Sequence, residues 1–113
     1  MKPNRVLSLL GLATKAGRTA SGEFMTEKAV KDGSARLVIV GTDASENTKK
    51  HFHDMCAFYR VPCCEYASKE ALGRAMGKEM RASLAVTDSG FAKSIRGHLE
   101  ETVNETEVAA WQK

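Results

Sequence analysis

No apolar run in the 113 residues approaches the ~20 that a membrane-spanning helix requires. The apolar stretch behind the basic start Met1-Lys2-Pro3-Asn4-Arg5 breaks at Gly11 and passes into Thr14-Lys15 without a small-residue cleavage site. It reads as a first helix, not a signal peptide, and the expected setting is the cytoplasm. Cysteine is scarce: Cys56, Cys63 and Cys64 form an odd set without metal-ligand spacing. Neighbouring residues of a strand point to opposite faces, so buried, reduced thiols are expected, with neither a disulfide nor a zinc site. Gly-x-Ser-x-Gly, a Walker-type phosphate loop and His-Glu-x-x-His are all missing. His51 and His53 lie two apart and face different directions on a helix; with His98 they read as exposed helix histidines. Asp43 and Asp88 follow strands, where α/β proteins often bind ligands, but a role at helix starts accounts for both. No catalytic group, metal site or cofactor is expected. Internal repeats and low-complexity segments are missing too.

What remains suits one compact domain. Apolar residues make up 42% and charged residues 27%, ordinary values for a globular chain. A chain of this length buries roughly two thirds of its unfolded surface. The net charge of +3 is unevenly spread. Residues 1–36 carry seven basic side chains against the acids Glu23, Glu27 and Asp32, whereas residues 100–113 carry Glu100, Glu101, Glu105 and Glu107 against Lys113. A basic front part suits a polyanionic partner.

Helical and extended patterns alternate along the chain. Val6, Leu9, Leu10 and Ala13 fall at helical spacing, with Gly17 as a stop. An extended piece, Arg18 to Ala20, precedes a second helix capped by Ser21 and running to about Asp32, with Gly33 in the left-handed region behind it. Leu37 to Gly41 is an apolar run of strand length, hence a strand covered on both faces. Asp43 or Ser45 opens a third helix with Phe52, Met55, Cys56 and Tyr59 as its buried stripe. Cys63 to Ala67 is a strand. Ser68 caps a short helix carrying Ala71, Leu72, Ala75 and Met76 and closed by Gly77. Ser83 to Thr87 is a strand, and Ser89 caps a last helix with Phe91, Ile95 and Leu99 on one face. Such alternation with short loops predicts an α/β domain with helices on both faces of a central sheet. The domain is expected over 1–101, with 102–113 a polar tail, frayed or loosely helical.

The segment from Lys15 to Arg36 carries the most chemistry. A helix start offers unpaired backbone N–H groups and partial positive charge, which suit phosphate. Gly22, lacking a Cβ, permits close backbone approach. Lys28 follows on the same helix, and Lys15 and Arg18 approach from the loop before it. From spacing alone a capped helix with solvated lysines fits equally well. Lys49 and Lys50 either extend the basic footprint or belong to a solvated helix face; Arg74 and Lys78 read as surface charge on a distant helix.

The run Gly22-x5-Lys28-Ala29-Val30-x2-Gly33-x-Ala35-Arg36-Leu37-Val38-Ile39-Val40-x2-Asp43 resembles the central motif of the ribosomal-protein superfamily of the L7Ae type. Gly11-Leu12-Ala13-x-Lys15-Ala16-Gly17-Arg18 and Asp43-Ala44-Ser45-Glu46-Asn47-Thr48-Lys49-Lys50 are similar to its small bacterial YlxQ-like members. Further similar blocks are Glu70-x-Leu72-Gly73-x-Ala75-x-Gly77, Arg81-Ala82-Ser83-Leu84-Ala85-Val86 and Asp88-x-Gly90-Phe91-Ala92, so the resemblance spans about residues 4 to 99.

The resemblance implies a three-layer α/β/α sandwich with a mixed four-stranded sheet. It also implies non-enzymatic binding of structured RNA, ribosomal or another non-coding RNA, at a kink-turn, an internal loop with tandem sheared G·A pairs and a sharp bend. A monomer is favoured. The RNA-facing residues it implies are Gly22, Glu23, Phe24, Met25 and Lys28 at the second helix's start, with Met80, Arg81, Ala82 and Ser83 before the last strand. Lys15 and Arg18 join them from charge alone. The sequence departs from the family at one place: kink-turn readers carry Asn-Glu where this chain has Phe24-Met25. Phe and Met cannot hydrogen-bond base edges; they stack, wedge or belong to the core. The departure favours phosphate contact over base readout. The rival reading is a protein-interaction adaptor on the same fold.

Overall fold

The computed structural model describes residues 4–102 and 110–111. Five helices, α1 (Arg5–Lys15), α2 (Glu23–Lys31), α3 (Glu46–Tyr59), α4 (Lys69–Ala75) and α5 (Ser89–Thr102), alternate with strands β1 (Thr19–Ser21), β2 (Leu37–Val40), β3 (Cys63–Glu65) and β4 (Ser83–Val86). A two-residue strand β5 (Ala110–Trp111) follows. The sheet order is β1-β4-β2-β3-β5. Only β2 and β3 run parallel; every other pairing is antiparallel. The expected mixed sheet of four strands is thus present, and β5 extends it at the β3 edge. Two residues carry no periodicity, so sequence pattern could not register that strand. The remainder of the expected tail, residues 103–109 and 112–113, lies outside the described residues.

The pleat of β2 and β4 sorts two cores. Leu37, Ile39, Leu84 and Val86 pack with Val6 and Leu10 of α1, Leu72 of α4, and Ile95 and Leu99 of α5. Val38, Val40 and Ala85 face Ala29 and Val30 of α2 and Phe52, Met55 and Cys56 of α3. Both strands are buried along their whole length, which is why β2 reads as an unbroken apolar run. The result is three layers, α1/α4/α5 over the sheet over α2/α3.

Side chains cap four helix starts. Asn4 accepts from the Leu7 amide, Ser45 from Thr48, Ser68 from Ala71, and Asp88 from Phe91, at 2.8–3.1 Å. Ser45, not Asp43, therefore opens α3. Asp88 takes the capping role expected of Ser89, which is already the first residue of α5. Tyr59 departs from the expected buried stripe and is 42% exposed. The left-handed Arg60 (φ 59°) turns the chain back so that Val61, with its amide bonded to the Cys56 carbonyl at 2.9 Å, fills the apolar place instead.

The histidines are not free helix decorations. His51 Nε2 lies 2.9 Å from Glu27 Oε1, tying α3 to α2, and His53 Nε2 lies 2.9 Å from Glu65 Oε2, tying α3 to β3. The three cysteines are buried thiols, with Cys63 and Cys64 on opposite faces of the sheet. Hydrogen bonding with Cys56 and then burial push the Cys63 thiol up, and burial together with Glu65 pushes Cys64 up to about 12. Cys64 therefore holds its proton more tightly when folded than in the unfolded chain, where a thiol titrates near ~8.5. That contribution to stability is complete below ~8.5 and is lost as pH rises toward about 12. At pH 8 the native protein should react with a small thiol reagent far more slowly than the same protein in denaturant; equal rates in a colorimetric thiol assay would contradict this burial.

Candidate nucleic-acid interface

The start of α2 differs from the other four. Its cap is Gly22, at φ 89° and ψ 159°, and no side chain caps it. Ser21, expected to do so, belongs to β1. The Gly22 conformation lies in a region that essentially only glycine occupies, and a Cβ there would meet nothing within 4 Å. The constraint is thus the backbone's own, and the space beside it is open. Without a side-chain cap, the first-turn amides stand ready for an external acceptor.

The segment before β4 is brought alongside. The Gly22 amide donates to the Ser83 carbonyl at 3.0 Å, continuing the antiparallel pairing of Ser21 with Leu84. Ser83 and Thr26 meet hydroxyl to hydroxyl at 3.3 Å, both fully buried, which seats α2 on β4. Arg81 Nε donates to Ser21 Oγ at 3.1 Å, and its Nη1 donates to the carbonyls of Met80 and Glu79 at 3.1 and 3.4 Å. The Arg81 amide donates to the Lys69 carbonyl and the Gly41 amide to the Ala82 carbonyl. The loop is therefore held on three sides: by β1, by α4 and by the end of β2.

These contacts sort the residues that the resemblance pointed to. Glu23, Phe24, Met25, Lys28 and Met80 are exposed, with Phe24 at 74% and Met80 at 62%. Phe24 and Met25 are consequently surface, not core. Ser83 is fully buried and cannot offer its side chain to a ligand; it holds Gly22 in place. Ala82 is half-buried, packs against the α2/α3 core and presents only its edge. Arg81 is half-buried and spends its guanidinium on bracing the loop. Glu23 sets a negative charge at the helix start, a cost to any phosphate that docks there.

Lys15 and Arg18 are placed elsewhere. The Arg18 carbonyl accepts from Thr87, at the end of β1 away from Gly22. The three residues of β1 separate the two, and four steps at the usual rise set them ~13 Å apart. Lys49 sits between Glu46 and Glu65 at 3.5 and 3.4 Å, and Lys50 is 2.7 Å from Asp54, so α3 offers little free positive charge. Lys78 is not on the far helix; it follows Gly77 in the loop that leads to Met80. Its amide donates to the Gly73 carbonyl at 2.8 Å. Sequence reading passed over Lys31. It shares with Phe24, Glu27, Lys28 and Asp32 a shallow concavity of about 350 Å³ along α2. The signal was there: Lys31 stands three residues from Lys28 and seven from Phe24, on one helix face.

A mixed sheet between two helical layers recurs in known proteins. The RNA-binding protein YlxQ of Bacillus subtilis (strain 168) is 45% identical over 87 residues, 77% of this chain and 87% of that one. The protein of the same name from Enterococcus faecium is 38% identical over 96 residues, 85% of this chain and 92% of that one. Among solved structures, a Bacillus halodurans protein described as of unknown function superposes with a TM-score of 0.84 at 38% identity, over 87% of this chain and 99% of that one. The Giardia lamblia 15.5kD RNA binding protein superposes at 0.73 and 26% identity, over 85% of each chain. The family model described as the ribosomal protein L7Ae/L30e/S12e/Gadd45 family matches residues 4–96. With nearly all of its described domain inside that match, this chain belongs to the ribosomal protein L7Ae/L30e/S12e/Gadd45 family.

Proposed function

We propose that the protein binds structured RNA of the kink-turn kind and catalyses no reaction. It would serve in the cytoplasm as an accessory of ribosomal or another non-coding RNA. The observation that carries this reading is the uncapped Gly22 helix start joined directly to the Met80 loop by the Gly22–Ser83 hydrogen bond. Open first-turn amides and the Lys28 ammonium suit phosphate oxygens. Phe24, Met25 and Met80 suit bases that have left the stack. The relatives' names as RNA-binding proteins support the same class. One observation favours the adaptor reading: the same three exposed apolar side chains would also suit a protein surface.

Titration of an internal-loop RNA with tandem G·A pairs against salt separates the two. A few neutralised phosphates give a log–log slope of about −2 to −4, at roughly 0.9 per contact. Salt-independent binding would remove the phosphate contacts from this reading. Lys28→Glu should weaken binding to every RNA tested, by on the order of 1–2 kcal/mol and more at low salt. Stability should barely move, because an exposed helix position accepts Glu about as readily as Lys. Arg5→Glu is the control. It puts an acid in the first turn of α1, where helices favour one, in the layer across the sheet from α2. Equal affinities for the two variants would leave α2 a mere structural helix and favour the adaptor.

A further inference from the structure

The described cations divide into two populations. One is neutralised within the fold: Lys31 by Glu27, Lys49 by Glu46 and Glu65, Lys50 by Asp54, Arg74 by Glu70. The other, among the described residues, forms no ion pair: Arg18, Lys28, Arg36 and Lys93, and also Arg5, Lys15, Arg60, Lys69, Lys78 and Arg81. The topology brings Arg18 and Arg36 to one end of the sheet, and Arg36 and Lys93 to one hollow. Arg18 and Arg36 immediately precede β1 and β2, which flank β4 on either side. The Thr87 amide donates to the Arg18 carbonyl and the Arg36 amide to the Val86 carbonyl, at 2.9 and 2.8 Å. Their Cα atoms therefore stand about two strand spacings apart, ~10 Å. The chain then leaves β4 into α5, whose second turn brings Lys93 and Arg96 beside Arg36. Together with Ser89, Gly97 and Glu100 they line a concavity of about 580 Å³.

α2 joins this basic hollow to the RNA-facing site proposed above. The helix starts at Gly22, beside Ser83, and ends at Gly33, whose carbonyl accepts from Arg36 Nη1 at 3.2 Å. Nine residues span ~14 Å. Lys28 and Lys31 stand on its exposed face between the two ends. A duplex presents one phosphate charge per ~1.7 Å of axis, so a track of this length faces several. The acids along it are Glu23 at the helix start, Glu27 beside Lys31, Asp32 at the helix end, and Glu100 in the hollow.

We infer that the Arg36–Lys93–Arg96 hollow is a second contact surface, taking the phosphate backbone of a duplex stem that continues from the RNA loop bound at the Gly22–Met80 site. The inference rests on the RNA-binding reading and extends its footprint from one end of α2 to the other. Contact is sequence-independent, because flexible cations at a concave surface meet phosphates and not base edges. Arg36 keeps its planar fork for this purpose, with one nitrogen steadied by the Gly33 carbonyl.

The test compares two RNAs with the same internal loop, one with short flanking stems and one with each stem lengthened by about a helical turn, across a salt series. The parent protein should bind the long-stem RNA with the steeper slope. The double variant R36Q/K93Q should lose about 2 units of slope on the long-stem RNA, near 0.9 for each lost contact, and bind the short-stem RNA like the parent. The charge-conserving R36K/K93R should keep the parent's slope, which separates lost charge from disturbed folding. Parent slopes that do not depend on stem length, or an unchanged slope in the double variant, would overturn the inference while leaving the Gly22–Met80 site intact. A parent that binds neither RNA would instead remove the RNA-binding reading itself. A parent that keeps equal RNA slopes but loses an acidic protein ligand on R36Q/K93Q would reassign the hollow to that partner and overturn the inference too.

Discussion

Gly73→Ala should destabilise the protein and dislodge the loop that carries Met80. A Cβ on Gly73 would stand 1.9 Å from the Glu79 carbonyl oxygen, 2.6 Å from the Glu79 carbonyl carbon and 3.0 Å from the Met80 Cα. These are backbone atoms, and no rotamer change relieves the clash. Either α4 or the loop must move by more than an ångström. The loop cannot move alone, because its amides at Lys78 and Arg81 bond to the carbonyls of Gly73 and Lys69. Overpacking of this kind costs about 1–3 kcal/mol and sometimes more. For a domain of this size that lowers Tm by on the order of 10 °C. Affinity for RNA should fall beyond the stability effect, since Met80 and the Arg81 brace move together. The contrasting substitution is Gly97→Ala in α5, where a Cβ meets nothing within 4 Å; replacing a helical glycine there should stabilise by up to ~1 kcal/mol. Thermal melts of the two variants must therefore shift in opposite directions. A Gly73→Ala melt that coincides with the parent's would mean that the loop does not pack on α4.

The double variant Phe24→Asn with Met25→Glu should bind a standard kink-turn more tightly than the parent. Both side chains are exposed, Phe24 at 74% and Met25 at 46%, so the fold loses little when they are replaced. Asn and Glu bring hydrogen-bonding groups to the positions from which the family reads guanine and adenine edges. A good base contact is worth about 1–3 kcal/mol in the comparable DNA case, set against the stacking that Phe24 gives up, of similar size per base. The net sign thus reports what Phe24 does. A gain on kink-turn RNA, with a loss on an RNA whose loop bases are merely unpaired, means that the parent stacks where its relatives of that type read edges. If the double variant loses affinity for both, Phe24 is already the better ligand and the α2 start does not sit at G·A pairs.

Much of this molecule was legible before any coordinates. β2 reads as buried on both faces because four consecutive apolar residues can only belong between two layers. Ser68 reads as a cap because a hydroxyl before a helical stripe can accept from the free first-turn amides, whereas for the third helix Asp43 and Ser45 both read as candidates and the structure selects Ser45. Where local choices were nearly equal, the pattern misassigned them. Asp88 and Ser89 both favour the cap position, and only the path of β4 into α5 selects Asp88. Tyr59 continues the helical period, but the left-handed Arg60 delivers Val61 to the same apolar surface.

The sequence by itself determined the alternation of elements, the two faces of the sheet and the burial of the thiols, because each depends on neighbours within a few residues; the cap of the second helix, read as Ser21, moves to Gly22 because Ser21 pairs with Leu84 in the sheet. Tertiary structure decided which of the singled-out residues share a surface. Ser83 and Gly22 lie 61 positions apart in the numbering and are hydrogen-bonded. Arg18, only four positions from Gly22, lies at the other end of the strand. Lys49 looks as free as Lys28 in the sequence until β3 brings Glu65 to it. Strand register and helix packing couple residues that no local period connects, and the electrostatic field they create exists only once those pairings have formed.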